Sequence, residues 1–302
     1  MNRQSLTRRN VLAGGLAAAA TGTFAQAGEK GSKPFADDYR LRLSIAAYSY
    51  RKYLSGGPEK AGMNMSEFIA LGAEMGLDAV EPTSYYIYDD SADNLHELKG
   101  QAFRLGLEIS GTAIRNNFVL PHGEELNKEL ARLHKWVDAA VEMGAPHLRI
   151  FAGKKRPGKS REEDFVVLIG ALRRAVDYAS TRGVFLGIEN HGYMTESAED
   201  LLRMVEVIDL PWFGINLDSG NFDDHPYEQF AKAAPKTINV QIKTHVKQGG
   251  ERKDADYRNL FDILRKAAYR GYVVLEYEGG EEPRTAIPKV VEQLKPIAAG
   301  RC

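Results

Sequence analysis

From Leu41 onward the chain alternates between two hydrophobic patterns. Segments with apolar residues at helical spacing end in glycine, and short, nearly continuous apolar runs follow at once. The junction glycines are Gly76 (before Leu77-Asp78-Ala79-Val80), Gly106 (before Leu107-Glu108-Ile109), Gly144, Gly183 (before Val184-Phe185-Leu186) and Gly271 (before Tyr272-Val273-Val274-Leu275). Their separations are 30, 38, 39 and 88 residues, the last being two units of 44. Glycine suits the left-handed residue that ends a helix, so helix–Gly–strand at this period reads as αβ repeats. Eight strands are predicted, over Leu41–Tyr48, Ala79–Pro82, Leu107–Thr112, His147–Phe151, Val184–Asn190, Phe213–Asp218, Ile238–Thr244 and Tyr272–Tyr277. Between them lie helix starts such as Ser160 with Glu163, and Ser197 ahead of Ala198-Glu199-Asp200 and an apolar periodic run. Eight strands alternating with helices predict an α/β fold, a single (β/α)8 barrel over residues 39–300. An open doubly wound sheet would favour a Gly-rich phosphate turn after the first strand, and Ala47-Tyr48-Ser49-Tyr50-Arg51 has none.

Composition then narrows the partners. The chain has 302 residues, 40 basic against 41 acidic, which gives no electrostatic case for nucleic acid or an anionic membrane. The single cysteine, Cys302, is the last residue, so disulfide and cysteine-based metal or nucleophile chemistry drop out. A small molecule is the expected partner, and assembly as a homo-oligomer is compatible with this composition.

The N-terminus is a separate object. Thr7-Arg8-Arg9-Asn10-Val11-Leu12 resembles the twin-arginine export signal, with Val11 where that signal usually has phenylalanine. A weakly apolar run from Val11 to Ala20 and an Ala25-Gln26-Ala27 cleavage pattern follow. About ten Ala/Gly-rich residues cannot cross a hydrocarbon layer of roughly 30 Å, so no membrane span is expected. The expectation is a signal peptide over residues 1–27, a polar linker over 28–38, and an exported, periplasmic or similarly placed, barrel.

Active sites of such barrels lie at the C-terminal ends of the strands. The fifth strand stops at Glu189-Asn190-His191, the sixth at Asp218, and the eighth at Glu276, each after an apolar run. Three carboxylates converging on one barrel mouth require protonation or a cation. Hard oxygen donors suit one divalent ion, Mn²⁺ or Mg²⁺. The seventh strand would supply a fourth ligand, and alternation puts Gln241, Lys243 and His245 on one face. Gln241, the deeper residue, is preferred, with His245 as the alternative.

This pattern resembles the xylose isomerase-like TIM-barrel superfamily, the sugar phosphate isomerase/epimerase group related to ketose 3-epimerases. The matching positions are Glu189 in Gly-Ile-Glu-Asn-His-Gly, Asp218 in Asn-Leu-Asp-Ser-Gly-Asn and Glu276 in Val-Leu-Glu-Tyr-Glu. Where the family often has His-hydrophobic-Lys, this chain reads Gln241-Ile242-Lys243. The resemblance implies a divalent-metal-dependent sugar isomerase or epimerase working through an enediolate, with Glu189 and Glu276 as paired acid/base groups and metal ligands.

Other residues are expected around the same mouth. Glu81, Arg149, Lys243, His191, Asn117 and Arg51 are candidates for substrate binding, with Arg115 beside them. Arg149 has an equally good reading as the counter-charge of Glu81 or Glu189. Tyr48, Tyr50, Tyr85, Tyr86 and Phe118 offer rings to stack on a sugar. The same intermediate could instead eliminate the aglycone of a 3-keto-glycoside, making the enzyme a lyase, and a non-catalytic sugar-binding barrel is the third reading. A multi-zinc nuclease would need more than seven histidines and a basic face.

Overall fold

The computed structural model describes residues 39–300. The export signal, the linker and Cys302 lie outside the described residues. Eleven strands are found among them: β1 Arg42–Ile45, β2 Ala79–Val80, β3 Glu108–Ile109, β4 Thr112–Ala113, β5 His147–Ile150, β6 Phe185–Glu189, β7 Phe213–Asp218, β8 Thr237–Ile242, β9 His245–Gln248, β10 Glu251–Asp254 and β11 Tyr272–Leu275. Seven of them form one curled parallel sheet in the order β1-β11-β8-β7-β6-β5-β4. The remaining arc is filled by β2 and β3, which pair in parallel, and a parallel bridge from Ala46 to Glu81 ties β2 to the end of β1. The fold is the expected (β/α)8 barrel.

The expected third strand is broken in two. Its first half, β3, pairs with β2, and its second half, β4, pairs with β5, so the break at Ser110-Gly111 turns the corner of the ring. A Cβ at Gly111 would sit 2.7 Å from His147 Nδ1, the close approach that explains a glycine inside a strand. The first strand also stops early, because residues Ala47–Tyr50 coil into a 3-10 turn before a short helix. The hairpin of β9 and β10 was not expected; the pair Gly249-Gly250, at φ of +61° and +78°, closes it as a two-residue turn.

The helices begin and end largely as the pattern predicts. Ser160 with Glu163 and Ser197 with Asp200 both form reciprocal capping boxes. Gly76, Gly106, Gly144 and Gly183 take left-handed φ values, but Gly271 does not. Ala268 at φ +56° takes that role after the helix Tyr257–Lys266, and Gly271 instead lies against the ring of Tyr269. Outside the sheet, aliphatic and aromatic side chains fill one continuous core between strands and helices. Inside the barrel, the apolar part shrinks to Ala46, Ala79, Tyr272 and Val274. The rest of that interior is polar and buried, including Ser44, Ser110, His147, Asn216 and Asn239. Among the described residues no helix is long and apolar enough to cross a membrane.

His147 shows how tightly this interior is fitted. A Cβ at Gly187 on the neighbouring strand would lie 2.4 Å from His147 Nε2 and 3.1 Å from Asn216 Cβ. Gly187→Ala is therefore expected to destabilise the barrel by about 1–3 kcal/mol, the usual cost of overpacking. Denaturant unfolding measures this, and an unchanged midpoint would show that the imidazole is not fixed there.

Candidate active site

Strand register builds the mouth of the barrel. Glu189 is level with Asn216, Asp218 with Gln241, and Gln241 with Val274. Side chains alternate along each strand, so Glu189, Asp218, Gln241 and Glu276 all turn inward at neighbouring levels. Glu189, Asp218 and Glu276 each offer a carboxylate oxygen, and these oxygens lie within 4.8 Å of one another, all three residues buried. Three strand ends that are far apart in sequence thus converge as the sequence reading expects.

Each carboxylate is held by named partners. Asn221 Nδ2 donates to Glu189 Oε1 at 2.9 Å, and Arg149 Nε lies 2.9 Å from Glu189 Oε2. Asp218 Oδ1 accepts from the backbone N–H of Gly220 at 2.8 Å. Its buried Oδ2 has no hydrogen-bond partner, although Lys243 Nζ is 3.2 Å away. Lys243 Nζ also lies 3.4 Å from Glu276 Oε2 and 2.9 Å from Glu278 Oε2, and it donates to Asn221 Oδ1 at 2.9 Å. Asn190 pairs with the backbone of Asp218 in both directions, its Oδ1 accepting at 2.7 Å and its Nδ2 donating at 2.9 Å.

Charge at this mouth is unbalanced. Glu81, Glu189, Asp218 and Glu276 are buried, and among the described residues only Arg149 and Lys243 stand beside them as buried cations. Burial pushes Glu81 up to about 8, opposed by Arg149. It pushes Glu276 up to about 7 and Asp218 up to about 6, opposed in both by Lys243. Glu189 is also raised by burial, with Arg149 the main opposing charge. Burial works against the charged forms of Arg149 and Lys243 too, but the surrounding carboxylates hold both above their ordinary values. An excess of buried carboxylates over buried cations and a set of hard oxygen donors within 4.8 Å of one another together fit a divalent cation.

Linkage gives this imbalance a measurable sign. The folded, metal-free state binds protons on Asp218, Glu276 and Glu81 that the unfolded chain releases nearer pH 4 to 4.5. Their stabilisation is full below that range and is lost as pH rises through about 6, 7 and 8. The melting temperature of the metal-free protein is expected to fall by at least ~5 °C between pH 5 and pH 8. Added Mn²⁺ should restore it, and more so at pH 8, because deprotonated ligands bind metal better. A metal-free melting temperature that rises over this interval would contradict the electrostatic picture.

The other expected residues divide into three groups. Arg149, Lys243 and His191 line a cavity of about 690 Å³ above the carboxylates, together with Tyr48, Tyr85, Phe151 and Asn117. His191 is exposed there and packs on the Phe151 ring at 4.6 Å. Glu81 lies below the cavity instead, accepting from Asn239 Nδ2 and Gln241 Nε2, both at 3.3 Å. Arg51 is outside the cavity too. It donates to the carbonyl of Tyr277 at 2.8 Å and so braces the loops after β1 and β11. The side-chain oxygen of Asn117 is spent on the backbone, accepting from Val119 at 3.2 Å and Lys154 at 3.0 Å. Tyr50 and Phe118 belong to the core between sheet and helices, and Tyr86 is likewise packed into it.

Gln241 and His245 also depart from expectation. Gln241 Oε1 accepts from Asn216 Nδ2 at 2.6 Å, and its Nε2 faces Glu276 Oε1 at 3.4 Å, so the side chain orients Glu276 as placed. His245 starts the unexpected hairpin, where its Nδ1 meets Arg252 at 2.7 Å, and among the described residues it does not join the carboxylate group. The residues missed in the sequence were Asn221, Asn190, Asn216 and Glu278. Asn190 and Asn221 stood inside the strand-end motifs already singled out, and a count of acceptors and donors there would have raised them.

A sequence profile described as xylose isomerase-like TIM barrel matches residues 69–297. No curated protein matches the sequence. Among solved structures, the chain resembles 3-keto-D-glucoside 4-epimerase from E. coli at 20% identity and a TM-score of 0.66, covering 85% of this chain and 99% of that one. It resembles a D-psicose 3-epimerase, solved in the presence of D-fructose, at 14% identity and a TM-score of 0.71, covering 86% of this chain and 100% of that one. A xylose isomerase domain protein from Planctomyces limnophilus is similar at 15% identity and a TM-score of 0.65, covering 86% and 97%. At these identities the likeness is one of fold.

Proposed function

The chain belongs to the xylose isomerase-like TIM-barrel family, and from that premise we propose that it is a metal-dependent sugar isomerase or epimerase. The observation that carries this reading is the buried trio Glu189, Asp218 and Glu276, with oxygens within 4.8 Å of one another at the mouth of the barrel. The sugar epimerases among its structural neighbours are in keeping with it. Glu189, Asp218 and Glu276 would hold one divalent ion, with Gln241 beside them orienting Glu276 through its Nε2 rather than offering its oxygen. When bound, that ion supplies electrophilic polarisation of a sugar carbonyl and offsets enediolate charge.

The chain's own residues supply the proton chemistry. Glu189 and Glu276 come from strands with β7 and β8 between them in the ring, so they reach a bound sugar from different sides. One removes the proton next to the carbonyl, and the other returns a proton on the opposite face. Arg149 opposes the effect of burial and keeps Glu189 available as a base. His191 and Lys243, both on the cavity wall, are placed to hold hydroxyl and carbonyl oxygens. Export by the twin-arginine route is part of the proposal and rests on the N-terminal pattern alone.

Solvent-deuterium incorporation tests the reading. Metal-supplied protein in deuterated water, offered a panel of ketoses and 3-keto-glycosides, is expected to place deuterium at the carbon beside the carbonyl. Enrichment with inverted configuration marks an epimerase, a moved carbonyl an isomerase, and release of the aglycone a lyase. A protein that binds a sugar but exchanges no hydrogen would be a binding barrel instead.

A further inference from the structure

We propose that the substrate carries an anionic substituent, a carboxylate or a phosphate, and that Arg115, Lys154 and Lys155 form its subsite. All three line the cavity above the carboxylate trio, on the wall made by the loops after β4 and β5. The other cations of that cavity already have acidic partners: Arg149 has Glu189, Lys243 has Glu276 and Glu278, and Arg132 has Glu129. Arg115, Lys154 and Lys155 have no ion pair among the described residues, so this wall carries uncompensated positive charge in a sugar-sized space. An anion entering there gains charge-assisted hydrogen bonds without breaking an existing pair.

The backbone under these side chains is fixed. Asn116 makes two bonds to Phe151, its Oδ1 accepting from the N–H at 2.9 Å and its Nδ2 donating to the carbonyl at 2.7 Å. Asn117 Oδ1 accepts the N–H of Lys154 at 3.0 Å, and Phe118 N donates to the carbonyl of Ala152 at 2.9 Å. A Cβ at Gly153, where φ is +129°, would lie 1.9 Å from Asn117 Oδ1, so only glycine lets the two loops meet this closely. From behind, Glu129 accepts the N–H of Asn117 at 3.3 Å, and Arg132 donates to the carbonyl of Arg115 at 3.3 Å. The Arg115 guanidinium itself rests 4.4 Å over the Tyr85 ring, whose hydroxyl accepts from Arg149 at 3.0 Å. The stapled loops thereby present three cations on a preorganised wall, while the reacting end of the sugar would face Glu189 and Glu276.

The anion subsite presupposes that the cavity takes a sugar, as proposed above. Binding of glucose, glucuronate and glucose 6-phosphate to the wild-type protein in Mn²⁺-containing buffer, followed by calorimetry, tests it without turnover. At least one of the two anions is expected to bind about tenfold or more tightly than glucose, with the preference shrinking as salt is raised. A preference for glucuronate identifies a carboxylate and one for glucose 6-phosphate a phosphate. In the triple variant Arg115→Ala, Lys154→Ala, Lys155→Ala the ratio of anion to glucose affinity should fall to about one. Glucose binding as tightly as both anions, no saturable binding of either anion, or a preference that survives in the triple variant overturns the subsite. A chain that shows the preference yet exchanges no deuterium with any sugar would keep the subsite and lose the isomerase reading, so the two failures are separable.

Discussion

Glu189→Gln is expected to lower deuterium exchange into substrate by about 10²–10⁴-fold, the usual contribution of a general base, while the barrel stays folded. Glutamine keeps the volume but only one acceptor oxygen, so of Asn221 and Arg149, each now 2.9 Å from a different carboxylate oxygen, one keeps its acceptor and the other faces an N–H donor. The lost property is the ability to take a proton and to contribute a charged oxygen to the trio. Glu276→Gln should be the mirror case, with the loss on the opposite face. If the two carboxylates work on opposite faces, this variant stops interconversion but still exchanges the hydrogen of the epimer that Glu189 serves. Circular dichroism and melting temperature establish the fold, and mass spectrometry of recovered sugar reads the exchange. Wild-type exchange in Glu189→Gln would remove that residue from the mechanism.

Arg149→Met is expected to have the largest effect on stability, about 3–5 kcal/mol, because it leaves buried carboxylates without their counter-charge. Arg149 pairs with Glu189 at 2.9 Å, donates to the carbonyl of Ile114 at 2.9 Å and to Tyr85 at 3.0 Å, and lies 4.0 Å over the Phe151 ring. Methionine keeps part of the packing and none of the charge. Arg149 also lowers the pKa of Glu81, Glu189 and Glu276. Without it all three carboxyl groups hold their protons to higher pH, so the acid limb of the pH–rate profile should move upward. Denaturant unfolding and the profile together check this. A loss under ~1 kcal/mol with an unmoved acid limb would mean that the pair is not a buried counter-charge.

The barrel and its acidic mouth were legible because two periodicities carry them. Glycine-ended helices feeding apolar runs placed the strands, and the carboxylates at the ends of three of those strands gave Glu189, Asp218 and Glu276. Local pattern cannot say what lies across the ring from what. The second bond partners of a side chain therefore stayed hidden: that Gln241 turns its oxygen to Asn216, or that Asn117 spends its oxygen on the neighbouring loop. His245 and Arg51 were misplaced for a related reason. Each follows a strand at a spacing that suits the mouth, but a tight hairpin carries one away and a 3-10 turn the other. Arg115, Lys154 and Lys155 gained meaning only when two loops 35 or more residues apart in sequence were seen stapled together.

Equilibrium dialysis against Mn²⁺, with metal counted by mass spectrometry, tests most directly whether the trio is an ion site. The account predicts one ion per chain at pH 8, weaker binding at pH 5, and none in the triple variant Glu189→Gln, Asp218→Asn, Glu276→Gln. Failure of the folded wild-type protein to retain an ion at pH 8, or undiminished retention by the triple variant, would contradict it.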